Sequence, residues 1–376
     1  MKIRRVGDRA DIARIMRDLD VDRPGIEIMA QKGKIYYFFI KDLSTGAANI
    51  LKQDALSIGA DLAIPKGTVT CQHKRVDALL IGTKKHIQIL AKKELAQPFG
   101  LKALAKELGR YLKESTPHAT KIMGIINAND DSFYPKSRFL GHKALEAIER
   151  MIAEGADIID IGGMSSRPGS EEIDEEEELA RVAPLIDAIC KKSWSVEFSI
   201  DTYRPLVARY ALERGFRILN DITALENDEV ARIAAQFGAT VVLMHKKGDP
   251  KTMQVDPYYE DVVLEVSQFF EERIERARSF GIEEIWLDPG IGFGKRLEDN
   301  IALIRDLQEF KKFGYDILVG ASRKSMIDKI IPSRVEERLP GTLAIHLEAV
   351  GNGADIVRCH DVKEHKQALE VARALR

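Results

Sequence analysis

From residue 122 to the C-terminus the hydrophobic pattern keeps returning to one phrase. A short apolar run ends in polar or small residues, and a stretch with helical spacing usually follows. The runs are 122–126 ending at Asn127, 158–161 ending at Gly162 and Gly163, 196–200 ending at Asp201, and Ile218-Leu219 ending at Asn220 and Asp221. Then come 241–244 ending at His245, 285–287 ending at Asp288, 317–319 ending at Gly320, Ser322 and Arg323, and Ile356-Val357 ending at Arg358 and His360. Apart from 196–200 the runs do not alternate apolar with polar, and a run without alternation reads as a strand covered on both faces. That is the pattern of a parallel sheet with crossover helices. Eight such units predict one (β/α)8 TIM barrel, with the polar residues emerging at a single rim.

The barrel helices are expected at 144–153, 175–190, 205–213, 228–237, 261–280, 298–313, 341–350 and 363–375. The acidic run 174–178 reads as a helix start whose carboxylates suit the dipole, in preference to a cation site. Residues 1–117 do not fit the barrel count and predict a small α/β N-terminal domain. Helices are expected at 10–19, 47–56, 86–93 and 99–112, and strands at 25–29, 34–40, 61–64 and 78–82. Pro117 disfavours helix, so 114–118 reads as a linker and the second domain as 118–376.

At 376 residues the chain suits two domains, and 45% hydrophobic with 31% charged residues is ordinary globular composition. A net charge of −2 gives no basic excess for nucleic acid. No apolar run approaches the roughly 20 residues that span a bilayer, and the N-terminus lacks a signal-peptide core. A cytoplasmic protein is the expectation. Cys71, Cys190 and Cys359 are too far apart to suggest a disulfide framework or a zinc site.

In a parallel barrel the residue just after each strand faces the mouth. That places Asn127, Asp201, Asn220, Asp288, Lys324, Arg358 and His360 around one cavity. Any one of them could be a solvated loop end; their convergence is harder to attribute to chance. Asp201 and Asp288 suit a ligand with flat paired N–H donors, because a carboxylate accepts two parallel hydrogen bonds. Arg358, His360 and the loop Ser165-Ser166-Arg167 suit an anion, most simply phosphate. Gly290, Gly292 and Gly294 let backbone approach a ligand, as a tight pocket wall. His73, His86, His118, His142, His346 and His365 read as surface or packing residues. His245 fits a pocket or a structural role equally. Cys359 reads as a buried inert thiol, and Trp194 and Trp286 as packing.

MGIINANDDSF (123–133) and DIIDIGGMSSRPGS (157–170) resemble the first two signatures of the dihydropteroate synthases. SIDTY (199–203), ILNDIT (218–223), VVLMHKKGDPKTMQ (241–254), LDPGIGFGK (287–295), GASRKSM (320–326), RLPGTLA (338–344) and DIVRCHDV (355–362) match the same family in order. The N-terminal segment resembles the extension of a longer bacterial subset, and a structural or oligomerisation role is expected for it. The resemblance implies condensation of 7,8-dihydropterin-6-ylmethyl diphosphate with 4-aminobenzoate. It implies that Asp201, Asn220 and Asp288 bind the pterin, that Met244 packs on it and that Lys324 reaches its carbonyl. Asn127, Arg358 and a charged His360 would hold diphosphate, with Mg2+ on Asn127. Ser166 and Arg167 would lie on a mobile loop, and Gly292, Phe293, Lys324 and Ser325 would shape the arylamine side. A homodimer is implied as well. The chain departs from the family at Ala128-Asn129-Asp130, at 134–137, at Met164 and at Ser166, which bears on arylamine preference. A pterin-dependent methyltransferase and a non-enzymatic pterin-binding module are the alternatives.

Overall fold

The computed structural model describes residues 3–7, 10–112, 118–128, 142–164, 173–248, 253 and 255–375. The chain divides into two compact units, residues 1–115 and residues 116–375.

In the first unit α1 (Ile12–Asp18) and α2 (Arg23–Ala30) precede β1 (Ile35–Ser44), α3 (Thr45–Ser57), β2 (Asp61–Ala63) and β3 (Arg75–Thr83). Helix α4 (Lys84–Lys93), a 3-10 turn and α5 (Leu101–Arg110) follow. The strands form an antiparallel sheet in the order β1-β3-β2. Strand β3 shows why: Val76, Ala78 and Leu80 are buried, while Arg75 and Asp77 are exposed, the period-two pattern of a half-covered strand. Helices α3, α4 and α5 cover that face with Leu51, Ala55, Ile87, Leu90, Leu101 and Leu108. The strand expected at 25–29 is instead helix α2. Ile26 and Ile28 mimic alternation, but Ile26, Met29 and Ala30 also fit helical spacing. Pro24 stands in the first turn, where its missing N–H leaves no bond unmade.

The second unit holds β4 (Lys121–Asn127), α6 (His142–Ala153), β5 (Ile158–Gly162), α7 (Glu175–Ile189), β6 (Glu197–Asp201) and α8 (Pro205–Glu213). Then come β7 (Ile218–Asp221), α9 (Asp228–Phe237), β8 (Thr240–Met244), α10 (Val262–Ser279), β9 (Ile285–Asp288) and α11 (Leu297–Arg305). The chain closes with β10 (Asp316–Val319), α12 (Ser325–Ile330), α13 (Leu339–Gly351), β11 (Ile356–Cys359) and α14 (Val362–Ala374). The strands are parallel, and β11 pairs with β4 to close an eight-stranded barrel. Asp174, Asn227 and Asp261 cap α7, α9 and α10 by accepting from backbone N–H groups, so the acidic run at 174–178 is a helix start. The single helix expected at 298–313 breaks after Arg305 into a 3-10 turn at Leu307–Phe313, and Asn352 Nδ2 caps it by donating to Ile304 O.

Side chains facing into the barrel fill its lower half: Met123, Ile158, Ile218, Val242, Trp286, Leu318 and Ile356. Burying each such aliphatic side chain is worth roughly 1.5–3 kcal/mol, so this plug anchors the strand ends above it. Residues of the opposite parity, such as Val357 and Cys359, pack outward against the helices.

Candidate active site

Strand parity builds the site. Two residues beyond each plug residue, the side chain faces the barrel interior again. Met123 leads through Ile125 to Asn127, and Ile158 through Asp160 to Gly162. Ile218 leads to Asn220, Val242 to Met244, Trp286 to Asp288, Leu318 to Gly320, and Ile356 through Arg358 to His360. Register then sets the level. Asn127 pairs with Gly162, Gly162 with Asp201, Asp201 with Asn220, and Met244 with Asp288. Gly162 keeps this row open: a Cβ there would stand 3.8 Å from both Asn127 Oδ1 and Asp201 Oδ2.

Arg358 spans the row. Its Nε donates to Asp160 Oδ2 at 2.6 Å and its Nη2 to Asp201 Oδ2 at 2.7 Å. Asn220 Nδ2 donates to the same Asp160 oxygen at 3.2 Å, which fixes the direction of its amide. Burial raises the Asp201 carboxyl to about 7, against the opposing pull of Arg358 and with Asp160 and Glu178 adding like charge. Burial also raises Asp288 above the usual carboxylate range, while the Gly290 N–H holds its Oδ1 at 2.7 Å. Both carboxylates are thus oriented, Asp201 by Arg358 and Asp288 by the Gly290 N–H.

Lys324 sits at the N-terminus of α12 with its ammonium turned to the turn at 290–294. Its Nζ donates to Ile291 O and lies 4.2 Å from the centre of the Phe293 ring. Gly292 leaves room for the lysine stem, since a Cβ there would meet Lys324 Cδ at 3.1 Å. Burial lowers Lys324 to about 8, with Asp288 opposing the shift. Gly290 and Gly294 cannot carry a side chain: a Cβ would come within 1.9 Å of His245 O and 2.1 Å of Lys247 O. Met244 is buried among these groups, and Ser325, the first residue of α12, is exposed.

On the anion side, His360 Nδ1 lies 2.8 Å from Ser322 Oγ. Burial and the neighbouring Arg358 charge lower its pKa to about 3, so the imidazole is neutral here. The charged His360 expected above is that of the diphosphate-bound site. Arg358, expected on an anion, bonds Asp160 and Asp201 through Nε and Nη2. Ser166 and Arg167 lie outside the described residues, as do Asn129, Asp130 and 134–137.

Asp160 was absent from the residues expected at the mouth. It is fully buried, and its Oδ1 has no protein partner. It lies inside β5 and not after it, so the strand-end rule passes over it; its shared parity with Ile158 and Gly162 would have found it. Lys295 was likewise passed over, although it is 1% exposed. Of the surface and packing roles expected for them, His346 and His365 take packing. Both are buried, and His346 Nδ1 meets His365 Nε2 at 2.8 Å. Ala321 N–H donates to His346 Nε2, which ties this pair to the loop before Lys324. In that loop Arg323 makes a two-point pair with Asp361 at 2.8 and 3.0 Å. Asp221, next to Asn220, is structural: it accepts from the N–H groups of Thr223 and Leu225.

Among the described residues, His118, Asp316 and Asp355 form a cluster with metal-ligand spacing. It lies at the N-terminal strand ends, opposite the mouth. Asp355 already binds Lys311 Nζ and Ile317 N–H there.

The family described as pterin binding enzyme matches residues 123–360. The bifunctional dihydropteroate synthase/dihydropteroate reductase of Helicobacter pylori is 42% identical over 349 residues, 92% of each chain. The dihydropteroate synthase of Escherichia coli K12 is 44% identical over 271 residues, 71% of this chain and 94% of that one. The Yersinia pestis dihydropteroate synthase with a sulfonamide drug complex superposes with a TM-score of 0.66 at 39% identity, covering 69% of this chain and 94% of that one. The Xanthomonas albilineans enzyme with 4-aminobenzoic acid gives 0.63 at 38% identity, covering 68% and 93%. The chain belongs to the pterin binding enzymes. Within that class its family is the dihydropteroate synthases.

Proposed function

We propose that the barrel condenses 7,8-dihydropterin-6-ylmethyl diphosphate with 4-aminobenzoate, giving 7,8-dihydropteroate and diphosphate. The observation that carries this reading is the row Asn127–Gly162–Asp201–Asn220, spanned by Arg358 and faced by Asp288 and Lys324. In this reading Asp201, Asn220 and Asp288 take the pterin N–H edge, Met244 packs on its face, and Lys324 turns to its carbonyl. Asn127, Arg358 and His360 hold the diphosphate. Gly292, Phe293 and Ser325 border the arylamine, together with the segment carrying Ser166 and Arg167. The bond from the pterin methylene carbon to the bridging oxygen breaks, and its electron pair leaves with diphosphate. The arylamine nitrogen then bonds to that carbon and loses a proton. Arg358 stabilises charge growing on the leaving group, and a bound diphosphate would raise the His360 pKa toward its charged form.

The donor set at Asn127 suits Mg2+: the amide offers a hard oxygen, and the ion takes its remaining ligands from phosphate and water. When bound, Mg2+ would draw negative charge off the diphosphate. A homodimer and a cytoplasmic location belong to the same proposal. Diphosphate release with and without 4-aminobenzoate tests it. The wild-type chain should release diphosphate in step with dihydropteroate, and Lys324→Ala or Arg358→Ala should cut turnover by about 100-fold with the fold intact. Full activity in both variants would remove the site assignment. Binding without release would favour a pterin-binding module, and methyl transfer from a methylated pterin would favour the methyltransferase.

A second reading concerns the N-terminal unit. The synthase of Escherichia coli K12 accounts for 71% of this chain, whereas the bifunctional relative accounts for 92%. We infer that the added length contributes to reducing dihydropteroate. A hydride would go to C6 and a proton to N5 of the pterin, with a reduced nicotinamide or flavin as the donor class.

A further inference from the structure

Behind the pocket wall lies a buried lysine that the proposed chemistry does not use. Lys295 Nζ is within 2.9 Å of His245 Nδ1, 3.2 Å of His245 O, 2.9 Å of Gly290 O and 3.0 Å of Phe293 O. Three of these partners are carbonyls, which only accept. The nitrogen has at most three N–H groups for these four atoms, so they share its donors; burial pulls the Lys295 pKa well below the ordinary lysine value. The one nitrogen joins the end of β8 to both sides of the turn at 290–294. Its fit depends on glycine, because Gly290, Gly292 and Gly294 have φ of 66°, 85° and 63°.

The same turn presents three groups to the mouth. Gly290 N–H holds the Asp288 carboxylate, Ile291 O holds the Lys324 ammonium, and the Phe293 ring lies beneath that ammonium. We propose that Lys295 is a positioning residue for the reaction: its amine nitrogen fixes the 290–294 turn so that Asp288 and Lys324 meet the pterin in working geometry. This rests on the synthase reading above. A small misplacement of reacting groups costs about 100-fold in rate, so a loosened turn is visible in kinetics without unfolding. Other bonds keep the turn closed when Lys295 is replaced. Gly292 N–H donates to Asn300 Oδ1 at 2.7 Å, and Tyr259 donates through its hydroxyl to Gly294 O at 2.8 Å.

The test uses the full chain with Lys295→Met and Lys295→Gln. Binding is measured for two separate probes, 6-hydroxymethyl-7,8-dihydropterin and inorganic diphosphate, and turnover is measured for the complete reaction. Lys295→Met should weaken the pterin probe by about tenfold and lower kcat by about 100-fold. Diphosphate affinity should stay at the wild-type value, because Asn127, Arg358 and His360 lie on other strands. Lys295→Gln restores two N–H donors and should recover part of both losses. Should Lys295→Met fail to fold, His245→Leu removes one partner of the Lys295 nitrogen and should give the same split at about threefold. A folded variant with wild-type pterin affinity and kcat overturns the proposal. So does an equal loss for both probes, which marks general loosening. Wild-type turnover in the same assay judges the synthase reading separately: a wild type that makes no dihydropteroate, beside a Met variant that loses only pterin affinity, refutes that reading and not this one.

Discussion

Asp201 and Lys324 have pKa values moved toward each other, and that sets a narrow working range. Burial raises the Asp201 carboxyl to about 7 and lowers the Lys324 ammonium to about 8. If the carboxylate accepts from the pterin and the ammonium donates to it, both must be charged. Below about pH 7 Asp201 gains its proton, and above about pH 8 Lys324 loses one. The profile of kcat/KM, which reports the unliganded enzyme, should therefore be a bell with limbs near those values. Lys324→Arg cannot lose its proton in that range and should flatten the alkaline limb in whatever activity remains. A wild-type profile flat between about pH 6 and 9 would deny both roles. The sequence pointed to these residue types, because carboxylates and a lysine at strand ends are readable from order alone. Their protonation was not readable, since it depends on burial by side chains from several other strands. His360 is the same lesson: its pKa follows first its own burial, which elements distant in sequence supply, and then the charge of Arg358 two residues away.

At the scale of elements, the strand-end turns carry the constraint. Gly290→Ala would place a methyl carbon 1.9 Å from His245 O on a backbone at φ 66°. The turn or the β8 end must move, at a cost of about 1–3 kcal/mol in backbone strain before the clash is counted. Gly281→Ala is the matched control: φ is 84°, but nothing lies within 4 Å of the new methyl. Thermal unfolding should show the larger loss for Gly290→Ala, and only that variant should lose turnover. Equal losses in both respects would mean the close approach to β8 is unimportant. The barrel strands were legible because a buried strand leaves an unbroken apolar run. Helix α2 was misread as a strand because Ile26 and Ile28 satisfy either period over so short a span. The break after Arg305 was missed because its cause, a cap from Asn352, lies far away in sequence.

At the scale of the molecule, the two units have separate cores, and 71% of the chain suffices to cover 94% of the Escherichia coli synthase. Residues 116–375 expressed without 1–115 should fold and keep dihydropteroate synthesis. The full chain with dihydropteroate and a reduced nicotinamide or flavin should consume the donor, and the truncated chain should not. Donor consumption that survives truncation would move that activity into the barrel. Loss of mass in solution with both activities kept would leave the N-terminal unit the oligomerisation role expected of it.

Sequence by itself determined the barrel, its strand ends and most residues at the mouth. Periodicity and strand-end position are local properties, and a parallel barrel turns them into a common direction. Only the tertiary structure decided which of those side chains meet. Arg358 reaches Asp160 and Asp201 across 198 and 157 residues of chain. Lys295 and His245, separated by 50, share one buried hydrogen bond. Strand pairing brings such residues together: β11 beside β4 closes the barrel and sets Arg358 near Asp160, and β8 beside β9 sets His245 near Lys295.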